Sequence, residues 1–239
     1  MIQPFSSKIG RRVHVSNADH QKVISMKRIT LSLVLLIGLL PPVAQAQGSL
    51  YLSNLGESSA GSEAVGSDQW FADSFRTGTA PGGYALNSIQ LLMNPASGNP
   101  AGFSVAIYNI NGVVPGTSLG SLSGADPAGG GFFTYTAPGT SLSPSTLYFV
   151  VVTATTPLAN GAYYWSRANT LNYSASDGWM LGPYSDMSTD GSNWGRPGGI
   201  FQFAVYATAV PEPSTLALLG FGLVCLGFLG RKAGSAKYA

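Results

Sequence analysis

The chain has 239 residues and a formal net charge of +2, but its charges are unevenly distributed. Residues 47–210 contain three arginines, no lysine and eight acidic side chains, so they cannot neutralise a run of phosphates, and nucleic-acid binding is excluded. This segment also has no histidine and no cysteine, the residues that most often bind transition metals or act as a general base at neutral pH. We therefore expect no metal site, no cofactor and no catalytic residue.

The N-terminal region carries an export signal. Residues 1–25 precede a second methionine, Met26, and lack a periodic apolar pattern, so we interpret them as a mis-assigned start or a dispensable extension. After Met26, a basic pair is followed by the almost wholly apolar run 29–40, and Ala44 and Ala46 form a small-residue cleavage site. As a helix this run would be about 18 Å long, whereas a bilayer core is about 30 Å thick. Residues 26–46 are therefore predicted to be a secretory signal peptide.

Residues 47–207 have the pattern of an all-β domain. Their apolar runs are short and either alternate or are rich in β-branched and aromatic residues, and amphipathic helix patterns are absent. Asn111-Gly112 and Asp177-Gly178 are among the pairs that supply the positive φ of tight hairpins. We predict a single antiparallel β-sandwich, jelly-roll-like, with irregular loops over 112–131 and 169–176. The predicted strands are 70–75, 84–93, 103–110, 132–136, 147–154, 163–166 and 200–207.

Aromatic side chains cluster in the later part of this domain. Aromatic rings with a polar group suit the apolar faces of sugars, and serine, asparagine and threonine nearby could bond sugar hydroxyls. The alternative is that most of these rings fill the core of the sandwich. The candidate carbohydrate contacts are Trp165, Trp179, Tyr184 and Trp194.

The acidic cluster of the domain offers two further interpretations. A glycosidase needs two carboxylates in one cleft, and Asp177, Asp186 and Asp190 form the only acidic cluster. Asp186 and Asp190 also match the opening of a calcium loop, but Pro197 stands where that loop needs a glutamate. Because Asp177 and Asp190 each precede a glycine, we favour hairpin turns over catalysis and over calcium binding.

Short segments of the domain resemble a known type of exported bacterial domain. The similar segments are 74–78, 84–91, 103–108, 115–116, 133–134, 142–148 and 150–151. They are similar to the choice-of-anchor R type, over roughly residues 70–207 of this chain. This type has no assigned activity to carry over, and its name records only that such domains occur with different surface-sorting tails. The resemblance therefore implies an exported β domain.

The C-terminal region has three features in a fixed order. Pro211, Glu212 and Pro213 lie in a predicted linker, 208–215, and precede an apolar run that ends before Arg231 and Lys232. The prolines prevent a helix from beginning earlier. The run 216–229 would be about 21 Å long as a helix, which is marginal for a permanent anchor. Residues 216–239 are therefore predicted to be a short transmembrane helix with a basic tail that stays in the cytoplasm.

This tail closely resembles the PEP-CTERM sorting signal of Gram-negative bacteria that make extracellular polysaccharide. The resemblance implies that an exosortase, a membrane-embedded protease, recognises Pro211, Glu212 and Pro213, with Arg231 and Lys232 as the basic stop. It implies transient residence in the inner membrane, followed by the cell surface or extracellular matrix, with exopolysaccharide as a partner. We therefore expect a non-catalytic exported surface or matrix protein associated with exopolysaccharide or biofilm. A carbohydrate-binding module and a carboxylate-dependent glycosidase are the alternatives.

Overall fold

The computed structural model describes residues 48–196, 198–211, 220–222 and 224. Residues 220–222 and 224 are helical, and no helix within these described ranges has the length and apolar character needed to cross a membrane. Several predictions fall outside the described residues: the extension 1–25, the signal peptide with Ala44 and Ala46, the sorting residues Glu212 and Pro213, most of the predicted transmembrane helix, and the basic stop at Arg231 and Lys232.

The described part of the chain is nearly all β and forms two curled antiparallel sheets. The first sheet contains β1 (Ser49–Ser53), β2 (Ser59–Val65), β4 (Tyr84–Gly98), β7 (Gly131–Thr136), β8 (Ser141–Leu142), β10 (Gly161–Ala168), β11 (Ser174–Ala175) and β14 (Phe203–Ala209). The second contains β3 (Trp70–Arg76), β5 (Ser104–Asn111), β6 (Val114–Leu122), β9 (Leu147–Thr153), β12 (Met180–Ser188) and β13 (Trp194–Gly195), in the order β13-β12-β3-β9-β5-β6. The predicted antiparallel β-sandwich is confirmed at this level, and its jelly-roll-like connection pattern stays a prediction.

All seven predicted strands are present, with shifted ends. Strand β3 shows the physical reason, because successive side chains of a strand point to opposite faces of the sheet. Phe71 and Phe75 are fully buried between the sheets, while Ala72 lies in a separate apolar cluster on the outer face of the second sheet. Period-two alternation therefore indicated both the strand and its two faces.

The segment 112–131 is not the long loop that the sequence predicted. It contains β6, which pairs with β5 at the edge of the second sheet as the structure describes it. Glycine, serine and threonine are frequent in β6, and much of it is exposed, so its residues show no apolar alternation. The prediction was wrong because an edge strand can be held by its backbone hydrogen bonds to one neighbour without burying a row of side chains. The segment 169–176 contains only the short strand β11.

The main core lies between the two sheets and is rich in aromatic rings. Phe71 and Phe75 of the second sheet contact Phe201 and Phe203, with ring centroids 5.1 and 6.3 Å apart. Each fully buried side chain of this kind contributes roughly 1.5–3 kcal/mol relative to an exposed one. These contacts hold the second sheet against β14, so they also fix the strand that leads into the C-terminal tail.

Buried polar side chains hold the backbone where β14 begins. The Asn54 amide donates to the carbonyl oxygen of Phe201 (2.9 Å) and accepts from the N–H of Phe203 (2.8 Å). The Ser166 hydroxyl donates to Oε1 of Gln202 at 2.7 Å. Because an unpaired buried polar group costs about 1–3 kcal/mol, these side chains stabilise a part of the sheet where the strand ladder is incomplete.

Candidate functional site

Two of the four predicted carbohydrate contacts are core residues. Trp165 is fully buried and stacks on Phe201, with ring centroids 4.4 Å apart. Trp179 is almost fully buried and stacks on Tyr51 at 5.1 Å. A sugar cannot reach either indole without opening the sandwich. For these two residues, the structure matches the alternative interpretation, in which the rings fill the core of the sandwich.

The other two candidates, Tyr184 and Trp194, lie together on the outer face of the second sheet. Both are half-buried, as are Trp70 and Tyr108 on neighbouring strands. We call these four residues the aromatic trough. They pack on a small cluster of buried apolar residues on the same face of the sheet. The Tyr184 ring stacks on one of these residues, Phe149, with ring centroids 6.5 Å apart. The trough is therefore a second, partly exposed apolar cluster, separate from the main core.

The second sheet curls around the aromatic trough. Strands β13 and β6 lie at opposite ends of the strand order, yet Nη2 of Arg196, just after β13, donates to the carbonyl oxygen of Val113, just before β6, at 3.2 Å. The guanidinium carbon of Arg196 lies 4.6 Å from the centroid of the Tyr184 ring, a cation–π contact. The two ends of the sheet thus approach each other over its outer face, which makes that face concave.

A buried carboxylate lies beneath this contact. Asp186 is fully buried, and Oδ1 lies 3.7 Å from Nε of Arg196, which is about half exposed. Neither carboxylate oxygen forms a hydrogen bond with the residues that the structure describes. Burial raises the pKa of Asp186, and the neighbouring Arg196 opposes this effect only in part. Asp186 is therefore shielded from solvent and does not offer its carboxylate to a ligand.

A surface groove with a volume of about 480 Å³ lies beside the trough. It runs between the β5–β6 hairpin and the turn that joins β12 to β13. Gly112, with a φ of 65°, forms the tight turn of that hairpin, as the Asn111-Gly112 pair predicted. We call it the polar groove, and it is lined by Asn109, Ile110, Asn111, Pro115, Gly116, Thr117, Gly191, Ser192 and Trp194. None of these nine side chains carries a charge.

The turn on one side of the groove is ordered by Asp190. Its Oδ1 accepts hydrogen bonds from the N–H groups of Ser192 and Asn193, both at 2.8 Å, and these bonds hold the pKa of Asp190 well below its usual range. Gly191 has a φ of 73°, and a Cβ at this position would lie 2.7 Å from the Trp70 ring. Asp190 and Gly191 therefore act here as turn residues, which is the interpretation that the sequence favoured.

Asp177 is the remaining acidic candidate, and Asp73 is a buried carboxylate that the sequence analysis did not single out. Asp177 has a φ of 53° and precedes Gly178, with a φ of 78°, in the predicted turn. Asp73, which is buried in the main core, accepts from the N–H groups of Phe201 (2.6 Å) and Ser74 (2.8 Å). Its burial raises its pKa well above the usual range despite these bonds. Within the described ranges, no three histidine, cysteine or acidic residues come together as a metal site.

The sorting tail begins directly at the end of the folded domain. Strand β14 continues through Ala209, and the Val210 N–H donates to the carbonyl oxygen of Gly83 at 2.9 Å. The first residues of the predicted linker 208–215 therefore belong to the sheet. Pro211, the first predicted sorting residue, is exposed immediately afterwards.

Sequence reasoning missed several residues of this face. Trp70 was assigned to a strand but not to the site, although its alternation with Phe71 indicates that it faces outward. The sequence did not predict that Asn109, Asn111 and Thr117 belong to a groove. A hairpin of polar residues does not reveal from sequence alone which distant turn it will face. Only the curl of the sheet brings them near Trp194.

Comparison with known proteins identifies the tail. Residues 209–232 match the PEP-CTERM protein-sorting motif, a range that includes the predicted proline pair, the apolar run and the basic stop. The chain has no significant match among curated proteins. The resemblance to the choice-of-anchor R type stays a prediction. The chain thus carries a PEP-CTERM sorting motif, which implies an exported protein that is processed by an exosortase.

Proposed function

We propose that this protein is a non-catalytic component of the cell surface or extracellular matrix of a Gram-negative bacterium, associated with exopolysaccharide or biofilm. The observation that carries the proposal is the sorting motif at 209–232, which begins at the last residue of β14 in a folded β domain. Before processing, the transmembrane helix predicted for the apolar run 216–229 holds the precursor in the inner membrane. After processing, the β domain acts through contacts made by its surface.

The surroundings of the carboxylates support a non-catalytic role. Asp126 accepts from the N–H groups of Gly102 and Phe103 and from the Tyr163 hydroxyl, at 2.9–3.1 Å. Asp68 accepts from the N–H of Leu158 at 2.9 Å. The carboxylates of Asp73 and Asp190 also accept hydrogen bonds from the protein. All four carboxylates are thus bonded to donors within the domain. A general acid and a nucleophile would instead need to face a common cleft.

Cell fractionation in a host with and without its exosortase gene tests the proposal. An epitope tag is placed within the exposed loop at 171–173, between β10 and β11 of the first sheet, and a second tag at the C-terminus. We expect the first tag at the cell surface or in the matrix only when the exosortase is present, with the second tag lost. Substituting Pro211, Glu212 and Pro213 by alanine should retain both tags in the membrane fraction. Accumulation of the doubly tagged chain in the cytoplasm would contradict the proposal.

A carbohydrate-binding module is the second candidate, because the aromatic trough and the polar groove combine half-exposed rings with uncharged hydrogen-bonding groups.

The glycosidase alternative has a direct test in the release of reducing sugar from polysaccharides by the mature protein. We expect none. A pH-dependent turnover that Asp177→Asn or Asp190→Asn abolishes would establish an enzyme.

A further inference from the structure

The polar groove has the size of a ligand site. Its volume of about 480 Å³ lies within the range of roughly 300–1,000 Å³ that is typical of small-molecule sites. Asn111, Thr117 and Ser192 are exposed along it, and Trp194 is half-buried at its wall. Amide and hydroxyl groups both donate and accept hydrogen bonds. The groove therefore presents several such groups beside one indole ring.

The walls of the groove are held in place before any ligand binds. On one wall, Oδ1 of Asn109 accepts from the N–H of Thr117 at 2.6 Å and ties the two strands of the β5–β6 hairpin together. On the other wall, Asp190 orders the turn that contains Ser192. Arg196 joins the two walls through its bond to Val113. A preorganised site loses less conformational entropy on binding than a flexible one.

The charge of the groove decides which ligand it suits. No lysine occurs anywhere in residues 47–210, and no charged side chain lines the groove. Arg196, which follows the groove residue Trp194 closely in the chain, contacts Asp186, the Val113 carbonyl and the Tyr184 ring. A phosphate, an anionic membrane or a uronic acid polymer would find no counter-charge in the groove. An uncharged polyhydroxylated ligand would leave no charge unpaired.

We propose that the polar groove binds a segment of an uncharged polysaccharide, with one sugar ring stacked on Trp194 and its hydroxyl groups bonded to Asn111, Thr117 and Ser192. This inference rests on the proposed function and deepens it by naming the ligand class and its site. Trp70 and Tyr108 of the neighbouring aromatic trough lie on the same face of the second sheet.

Affinity electrophoresis of the mature exported protein tests the inference. The uncharged probes are dextran, hydroxyethylcellulose, galactomannan and xylan, and the acidic probes are alginate and polygalacturonate. We expect at least one uncharged polymer to retard the protein and the acidic polymers to leave its mobility unchanged. Retardation by acidic polymers alone, or by none of the six, would overturn the inference.

Variants locate the binding site. Trp194→Ala and Asn111→Ala should each weaken binding by about tenfold or more, because loss of a central aromatic or hydrogen-bonding contact commonly has an effect of this size. Ser192→Trp, at an exposed turn position, should fill the groove and block binding while leaving Trp194 in place. Phe132→Ala is the matched control, because Phe132 is 61% exposed on the first sheet, away from the groove. Equal binding by all four variants would place the ligand elsewhere.

The two proposals can fail separately. Fractionation and tag loss report sorting and do not depend on a ligand, while electrophoresis uses protein that has already been exported. A protein that is sorted normally but ignores all six polymers would refute the groove assignment and leave the surface location intact. Gel filtration of the same sample is a further check, because an oligomer that Ser192→Trp disrupts would show that a second copy fills the groove.

Discussion

Replacement of Trp165 by alanine tests the division between core and surface tryptophans. The indole is fully buried and stacks on Phe201, and its Nε1 donates to the carbonyl oxygen of Gln202 at 3.0 Å. That carbonyl also accepts from the N–H of Leu92 at 3.2 Å, so it stays paired when the indole is removed. The cost is therefore mainly lost burial and a cavity, which for a large aromatic residue amounts to about 3–5 kcal/mol.

Urea and thermal denaturation of the mature protein, each followed by far-ultraviolet circular dichroism, measure this change without relying on tryptophan fluorescence. A loss of 1 kcal/mol lowers the melting temperature of a domain of this size by about 2–4 °C, so Trp165→Ala should lower it by about 6–20 °C. Trp194→Ala is the control and should cost about 1 kcal/mol or less, because that ring is half-exposed. A cost below about 1 kcal/mol for Trp165→Ala would refute the placement of this ring in the main core.

Three further variants test local features of the structure. Asp186→Asn should leave stability at neutral pH unchanged or increased: the pKa of Asp186 is raised by folding, so its ionisation opposes folding progressively as the pH rises through the folded-state value. In urea titrations between about pH 4 and 8, the free energy of unfolding of this variant should fall less steeply with rising pH than that of the wild type. An equally steep fall would contradict the burial of this carboxylate. Asn54→Ala should cost about 2–4 kcal/mol, because two buried backbone groups lose their partners, and a loss of under about 0.5 kcal/mol would show that these bonds are replaced by water. Gly191→Ala should cost at least about 1 kcal/mol through its positive φ and its approach to Trp70, whereas Gly195→Ala, with open space around its Cβ position, is the matched control; equal melting temperatures would refute the strain.

The sequence predicted the strands that bury a row of side chains and failed for those that do not. Alternation in β3 and the apolar run of β9 follow directly from burial, so both strands were predictable. Seven of the fourteen strands that the structure describes were not predicted: β1, β2, β6, β8, β11, β12 and β13. Among these, β6 is a polar edge strand, and β12 contains Gly182 and Pro183, which interrupt its pattern. Backbone pairing with a neighbouring strand, which a sequence pattern does not record, forms them nonetheless.

The candidate site was half predictable for a similar reason. Aromatic composition indicated the four predicted carbohydrate contacts. Whether each of these rings faces the core or the solvent depends on strand register and on the curl of the sheet. Trp165 lies two residues after the core-facing Tyr163 and therefore shares its face of β10. Trp194 lies in a two-residue edge strand, which is too short to show a periodic pattern. The polar groove depends on two hairpins about eighty residues apart in sequence, at 109–117 and 191–194. The sorting tail, by contrast, is a local pattern, and its three features were sufficient to identify it.

The intact mass of the exported protein tests the central claim most directly. The protein is recovered from the surface or matrix fraction of a host that has an active exosortase, and its mass is compared with that of the chain retained when the exosortase gene is deleted. Our account predicts that the exported form lacks the apolar run and the basic end of the 209–232 motif, while the retained form keeps both. An exported form that still ends at Ala239, in equal amounts with and without the exosortase, would contradict it.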